Sequence, residues 1–276
     1  MGADQGFYGP STLTWQLTRE RVLLVGGPRA LLLQLAHPLV AAGVTEYSNF
    51  ASDPFTRLRR TLDATLAMVY GTKAQAQAAA AKINSVHDHV HGTLPETAGR
   101  FPAGTPYDAT DPELLLWVHA TLVDTTFEVF GRYVRRLTPD ELEQAYEESK
   151  IAAKLLRVPE EILPPDMKSF RTYFDGMISS DAIAVAPFQR ALAKDILYPS
   201  IRFVPKPALW PTVAVTASLL PPKVRKAYGL GQNFVERQIA GWSHRLVRAI
   251  LPVAPGVIRD MPQARRAEIR VREGRV

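Results

Sequence analysis

Apolar residues recur at helical spacing along almost the whole of this chain, interrupted by helix start and stop signals, and no period-two alternation survives for more than a few residues. That pattern leaves an all-α fold. The signals mark helices from Ser11 to about Leu24, from about Pro28 to Tyr47 with a kink at Pro38, from Pro54 to Tyr70 before Gly71, and from about Lys73 to His91 before Gly92. A long helix is expected from Asp111 to about Arg136, and Thr138-x-x-Glu141 is a capping box that opens the next. Residues 93–110, rich in Pro, Gly and Thr, read as a loop, and shorter helices follow at 166–180, 186–197, 208–219, 222–229 and 233–251. With 276 residues, 46% of them apolar, the chain reads as one multi-helix domain, 1–276, with an irregular helical last third, 181–276.

Composition narrows the chemistry. There is no cysteine, so disulfides, zinc-thiolate sites, iron–sulfur clusters and thiolate-ligated haem are all excluded. Any metal would be held by nitrogen and oxygen. The formal charge of +6 is concentrated in the tail, RAEIRVREGRV, with no interleaving of basic and aromatic residues in the body, which argues against nucleic-acid binding. The tail reads as a solvated end or a weak contact to acidic lipids. No uninterrupted apolar run reaches spanning length, and the first residues lack the order of a signal peptide, so the expectation is a cytoplasmic protein without stable membrane insertion. Oligomeric state is not set by the sequence. Val25-Gly26-Gly27 lacks the spacing of a dinucleotide fingerprint, and there is no Gly-x-Ser-x-Gly elbow; Ser243-His244 lies in an amphipathic helix.

The histidines are the chemical signal. "INSVHDHVHG", residues 83–92, holds three of the six. Taking Ile83 as zero on a helix, Val90 falls at about −20°, Val86 at about −60° and His87 at about +40°, with His91 on the rim at about +80° and His89 at about 240°. His87 is expected to face inward. His37, spaced from Leu33, Val40 and Val44, and His119, spaced from Leu115, Leu122 and Thr126, also belong to apolar faces. They form either one shared polar site or three separately satisfied structural histidines. In "DPFTRLRRTLDATLAMVYG", Leu58, Leu62, Leu66 and Val69 make an apolar face, with Arg57, Arg60 and Thr61 on the adjacent one beside Ala64 and Met68. That second face is either an exposed edge or the wall of an anion pocket, since arginine's planar fork suits carboxylates. Trp117, Phe127 and Phe130 read as core, and Tyr107 and Asp108 are candidates to close the loop over a site.

The succession HPLVAAGV (37–44), DPFTRLRRTL (53–62), VHDHVHG (86–92), YDATDPELLLWVHATL (107–122) and LTPDELEQAYEE (137–148) resembles a bacterial family named for the fungal oxygenase of mycophenolic acid biosynthesis and for the rubber-cleaving latex clearing protein. The likeness spans roughly residues 20–180. It implies a helical fold with a globin-like core around one b-type haem, a histidine as proximal iron ligand, and dioxygen used to cleave a double bond in an isoprenoid chain. The family's His-x-x-Val-x-Gly falls on His87, Val90 and Gly92, which gives His87 the axial role, with His91 as fallback. Its Arg-x-x-Lys-Thr falls on Arg57, Arg60 and Thr61, where arginine replaces a lysine able to lose its proton. A role towards bound dioxygen or a haem propionate is implied for them, with His37 or His119 orienting substrate. Glu46 is the nearest candidate for the family's distal base, although its spacing to Arg57 departs from the pattern. The partners implied are dioxygen and a hydrophobic small molecule. Two rival readings remain: a zinc or non-haem iron enzyme with His37, His87 and His119 as a three-nitrogen site, and a haem or ligand carrier without turnover.

Overall fold

The computed structural model describes residues 4–47, 54–199, 205–231 and 233–273, with only the backbone course of 54–60 and 206–207. Fourteen α-helices occur among them: α1 (Leu13–Arg19), α2 (Gly27–Leu35), α3 (Pro38–Tyr47), α4 (Pro54–Tyr70), α5 (Lys73–His87), α6 (Pro112–Tyr133), α7 (Pro139–Leu155), α8 (Met167–Ser179), α9 (Pro187–Leu197), α10 (Trp210–Leu219), α11 (Pro222–Ala227), α12 (Phe234–Ile250), α13 (Gly256–Arg259) and α14 (Pro262–Arg272). Between α5 and α6 lies a two-stranded antiparallel hairpin, β1 (His91–Thr93) and β2 (Pro106–Asp108), with Gly92 opposite Tyr107. The chain is an all-α domain carrying this small hairpin.

Local chemistry sets most helix ends. Thr72 with Gln75, Thr138 with Glu141 and Asn233 with Glu236 form reciprocal capping boxes at the starts of α5, α7 and α12, satisfying amide donors that the first turn leaves free. Asp111 caps α6 and Pro112 supplies its first-turn φ. Pro38 lacks the N–H that would carry α2 onward, so α2 and α3 are separate helices bent by 109°.

α6 is the hub of the core. It packs on α2, α7, α12 and the short 3-10 segment Arg21–Gly26. Trp117, fully buried, donates its indole N–H to Leu33 O at 3.2 Å and stacks on Phe174. Leu32 and Leu33 are equally buried, and each such side chain contributes about 2–3 kcal/mol. Gly26 is what allows the 3-10 segment so close to α6: a Cβ there would lie 2.6 Å from the Thr125 methyl and 2.8 Å from a Val129 methyl. By length and composition α6 is the one continuous helix among the described residues able to cross a bilayer, yet 72% of its most apolar window is buried inside the protein.

A second apolar cluster joins Tyr8, Trp15, Leu66, Val69 and Tyr70 to Met261, Ala264 and Ala267. Of the expected apolar face of α4, Leu66 and Val69 are buried with Leu62 at the edge, and the side chain of Leu58 lies outside the described residues. The basic tail departs from expectation. Instead of a solvated end, α14 docks Ala264 and Ala267 onto α1 and α4, and Arg270 donates to Tyr70 O at 2.7 Å. Arg19 bridges Asp260 at 2.8 Å and also reaches Glu268, while Arg259 forks onto Glu20.

Candidate functional site

Three of the sequence motifs converge where α3, the hairpin and the end of α5 meet. The α3 helix lies against both strands. Gly43 and Gly92 make this approach possible. A Cβ at Gly43 would sit 3.2 Å from Val90 Cγ1 and 3.3 Å from the Tyr107 ring, and one at Gly92 would lie 2.7 Å from both Glu46 Oε2 and Tyr107 Oη. Through that gap the Tyr107 hydroxyl donates to the Glu46 carboxylate. Burial, followed by the adjacent carboxylate, holds the phenol well above its ordinary pKa, so Tyr107 remains the donor. Tyr47 Oη bonds His91 O at 2.9 Å, tying α3 to β1 a second time. Tyr107 is thus buried with Leu39, Ala42, Leu94 and Leu114, rather than free to close over a site. Asp108, exposed, accepts from Thr110 N at 2.7 Å and shapes the turn into α6. Glu46, on the last turn of α3, is exposed and already occupied by Tyr107.

His37 occupies the α2–α3 bend, 4% exposed. Its ring centroid lies 5.2 Å from that of Phe101, and its Nδ1 is a buried polar atom without a hydrogen-bond partner. Burial first, and then the charge of Arg100, push its pKa down to about 4, so the imidazole is neutral at pH 7. His119, on the other side of the core, is neutral for the same reason, with burial alone pushing it to about 4; its Nε2 lies 3.5 Å from Ser149 Oγ on α7.

His87 is the last residue of α5. Asp88 caps the helix, and the chain leaves it through turns in which His89 N bonds Val86 O and Val90 N bonds His87 O. The expected helix to His91 therefore stops four residues early. Helical angles do not apply beyond residue 87, and the picture of a fully inward His87 needs correcting: the ring is half-buried, and Val86, placed inward by periodicity, is 57% exposed. His89 is exposed, as expected. His91 is exposed on β1. Burial lowers the His87 pKa, Arg157 acting the same way and Asp88 against them, which favours a neutral imidazole with a free lone pair. Its ring makes no hydrogen bond among the described residues.

One flank of His87 meets a cavity of about 30 Å³ shared with Asn84, Thr110, Leu115, Leu156 and Arg157. That is room for little more than a water, far too small for a porphyrin. α4 and α5 pack as an antiparallel hairpin, which brings the backbone of the N-terminal end of α4 alongside the C-terminal end of α5. Thr61, exposed, lies near the middle of α4. The side chains of Arg57 and Arg60 belong to the same turn and lie outside the described residues. A neutral, half-buried imidazole is a competent ligand for iron, but the described cavity beside it does not admit a macrocycle.

The described residues contain no group of three His, Cys, Asp or Glu placed to share a metal ion. The three-histidine site is thereby corrected. Trp117 points to α2, whereas Leu115 and His119 point towards α5 and α7, so α6 separates His37 from the other two.

Two features escaped the sequence reading. Arg29, 3% exposed, donates to Asp124 at 2.6 Å, to Thr125 Oγ1 at 2.5 Å and to Leu219 O at 2.8 Å, while Arg171 binds the other Asp124 oxygen. The signal was an acid inside the apolar run LVDTTF. The second is Arg157, the non-glycine residue with positive φ (62°) among the described ones, whose guanidinium pairs with Asp88 at 2.6 Å beside His87.

Residues 14–251 match the family model described as ER-bound oxygenase mpaB/B′/Rubber oxygenase, catalytic domain. Similar proteins include an uncharacterized protein of Mycobacterium tuberculosis and one of Mycobacterium bovis. Each is 26% identical over 230 residues, covering 79% of this chain and 84% of the relative. No solved structure matches the chain.

Proposed function

The chain belongs to the family of the mpaB and rubber oxygenase catalytic domains, and from that premise we propose that it is a b-type haem-dependent oxygenase that acts with dioxygen on a hydrophobic small molecule of the isoprenoid or alkene type. The observation that carries this reading is His87: a neutral imidazole, half-buried at the end of α5, whose ring bonds to no described residue. Histidine-ligated ferrous haem supplies dioxygen binding and activation.

The rest falls to the chain. His87 Nε2 or Nδ1 would hold the iron. Asn84, one turn earlier and buried, fixes the helix end by donating to Leu155 O at 3.0 Å, while Asp88 caps the helix and pairs with Arg157 at the surface. Arg57, Arg60 and Thr61 would balance propionate charge and offer a hydroxyl on the facing side. Arginine at position 60 keeps its proton, so its part is electrostatic rather than ligation of iron. His119, neutral at pH 7, would orient an uncharged substrate or a water, whereas His37 lies across α6 from His87 and takes no part at the iron.

The test is dioxygen uptake by reduced, haem-supplied protein with a lipophilic alkene. Substrate-dependent uptake with cleaved or oxygenated product is expected. A haem-loaded protein that never consumes dioxygen across a panel of isoprenoids would make it a carrier.

A further inference from the structure

The last turns of α6 and the second half of α12 face each other across a recess. Phe127 and Gly131, and likewise Glu128 and Arg132, stand one helical turn apart on α6, and Arg136 follows just past its end. On α12, His244 and Arg248 repeat that spacing. Together they enclose a cavity of about 330 Å³, the size of a small-ligand site. It is separate from the cavity beside His87, because Phe127 and Gly131 come twelve and sixteen residues after Leu115 along α6, a distance of about 20 Å.

Two features set this recess apart from an ordinary basic surface. The first is charge without a counter-charge. Arg132 is paired with Glu128 at 2.5 Å and also donates to Ser218 O at 3.2 Å. The guanidiniums of Arg136 and Arg248 have no hydrogen-bond or acidic partner among the described residues, in contrast to Arg135, which forks onto Glu141. With Glu128 committed to Arg132, two positive charges meet at the cavity, one from each side. His244 adds a ring whose Nδ1 must carry the proton, because it bonds the Ala240 carbonyl at 3.0 Å and a carbonyl only accepts. The second feature is Gly131. Its backbone is helical, and a Cβ there would meet nothing within 4 Å, so neither conformation nor packing calls for a glycine that weakens the helix. What the missing side chain provides is the floor of the cavity, beside the buried ring of Phe127.

A ligand that matches two unpaired guanidiniums carries two charges on one compact set of oxygens. A phosphate monoester does so, with a charge of about −1.5 to −2 and three acceptor oxygens for the arginine forks. A dicarboxylate divides its charge between two ends. The volume leaves room for an organic remainder against Phe127. A lipid headgroup fits less well: Val235, Trp242, Leu246 and Ile250, exposed on α12, lie about 120–200° round the helix from His244 and Arg248, away from any chains it would carry. We propose that the recess between α6 and α12 binds a soluble phosphate-bearing small molecule, with the phosphate held by Arg136 and Arg248 and flanked by Arg132 and His244. The site does not rest on the oxygenase reading, since binding is measured without haem or dioxygen.

The full chain, in Tris-chloride at low ionic strength, is titrated calorimetrically with phenyl phosphate, and with succinate as the dicarboxylate control. One saturable site per chain is expected, weakened by added salt and at least about tenfold tighter for phenyl phosphate than for succinate. Because the ligand would touch both helices, it should also slow amide exchange in α12. Arg136→Gln and Arg248→Gln should each weaken binding about tenfold or more. Arg135→Gln, the same charge change on a residue turned to Glu141, should leave binding nearly unchanged. Gly131→Leu should fill the floor and abolish binding at unchanged far-UV circular dichroism. The proposal is overturned if no saturable binding occurs, if succinate binds as tightly, if Arg135→Gln weakens binding as much as Arg136→Gln, or if folded Gly131→Leu protein binds normally. Phosphatidic acid vesicles that displace phenyl phosphate from wild type, and bind the Arg248→Gln protein poorly, would likewise overturn it, assigning the recess to a lipid headgroup.

Discussion

Replacing Gly92 with alanine probes the joint that holds the motifs together. The new Cβ would lie 2.7 Å from Glu46 Oε2, 2.7 Å from Tyr107 Oη and 2.9 Å from Tyr107 Cζ, closer than non-bonded atoms approach. Glu46 is exposed and can swing away, at the cost of a charge-assisted hydrogen bond worth about 1.5–3 kcal/mol. Tyr107 cannot retreat, because its ring is packed among Leu39, Ala42, Leu94 and Leu114, so residual overpacking adds about 1 kcal/mol. The expected total is about 2–4 kcal/mol by urea denaturation. Removing the phenol oxygen removes both the bond and the nearest contact, so Gly92→Ala should cost at least about 1 kcal/mol less in a Tyr107→Phe background. Equal costs in the two backgrounds, or a Gly92→Ala protein within about 0.5 kcal/mol of wild type, would refute the reasoning.

Other consequences are measurable in the same way. Arg29→Met leaves Asp124 with Arg171 alone and strands the Leu219 carbonyl; a loss of about 3–5 kcal/mol is expected, and near-wild-type stability would contradict a compensated buried charge. His37 and His119 have pKa values pushed from 6.5 to about 4, so below pH 6.5 the unfolded chain takes up protons that the folded one refuses. Stability should therefore fall between pH 6.5 and about pH 4, by at most about 3 kcal/mol per histidine; a flat profile over that window would mean that the rings are solvated. Arg157→Gly relieves about 1 kcal/mol of left-handed backbone strain and loses an exposed pair with Asp88 worth about 0–1 kcal/mol. Its stability should equal or slightly exceed wild type, and a clear loss would show that the pair is holding the turn after His87.

The helices were legible where local chemistry decides them. The capping boxes at Thr138 and the Gly71 break placed α7 and α4 to within a residue or two, and Pro38 announced the sharp bend. The end of α5 was misread because Gly92 resembles a helix stop, whereas its role is tertiary: it lets Tyr107 reach Glu46 across the hairpin. Strands of three residues are too short for alternation to register, so 93–110 read as loop. The tail misled through composition, since Ala264 and Ala267 are small enough for their burial to pass unnoticed among arginines. At the site, the inward tendency of His37 and His119 was readable from spacing. Their separation by α6 was not, because periodicity gives the direction from one helix axis and says nothing about which neighbour lies there.

The central claim rests on His87, and an absorption spectrum tests it most directly. Wild-type protein produced with haem supplied, oxidised and then reduced with dithionite, should show a Soret band and about one haem per chain. His87→Ala should lose that band at unchanged helix content, whereas His91→Ala, altering an exposed ring on β1, should keep it. A wild type without a Soret band, or a His87→Ala protein with an unaltered spectrum, would contradict the assignment.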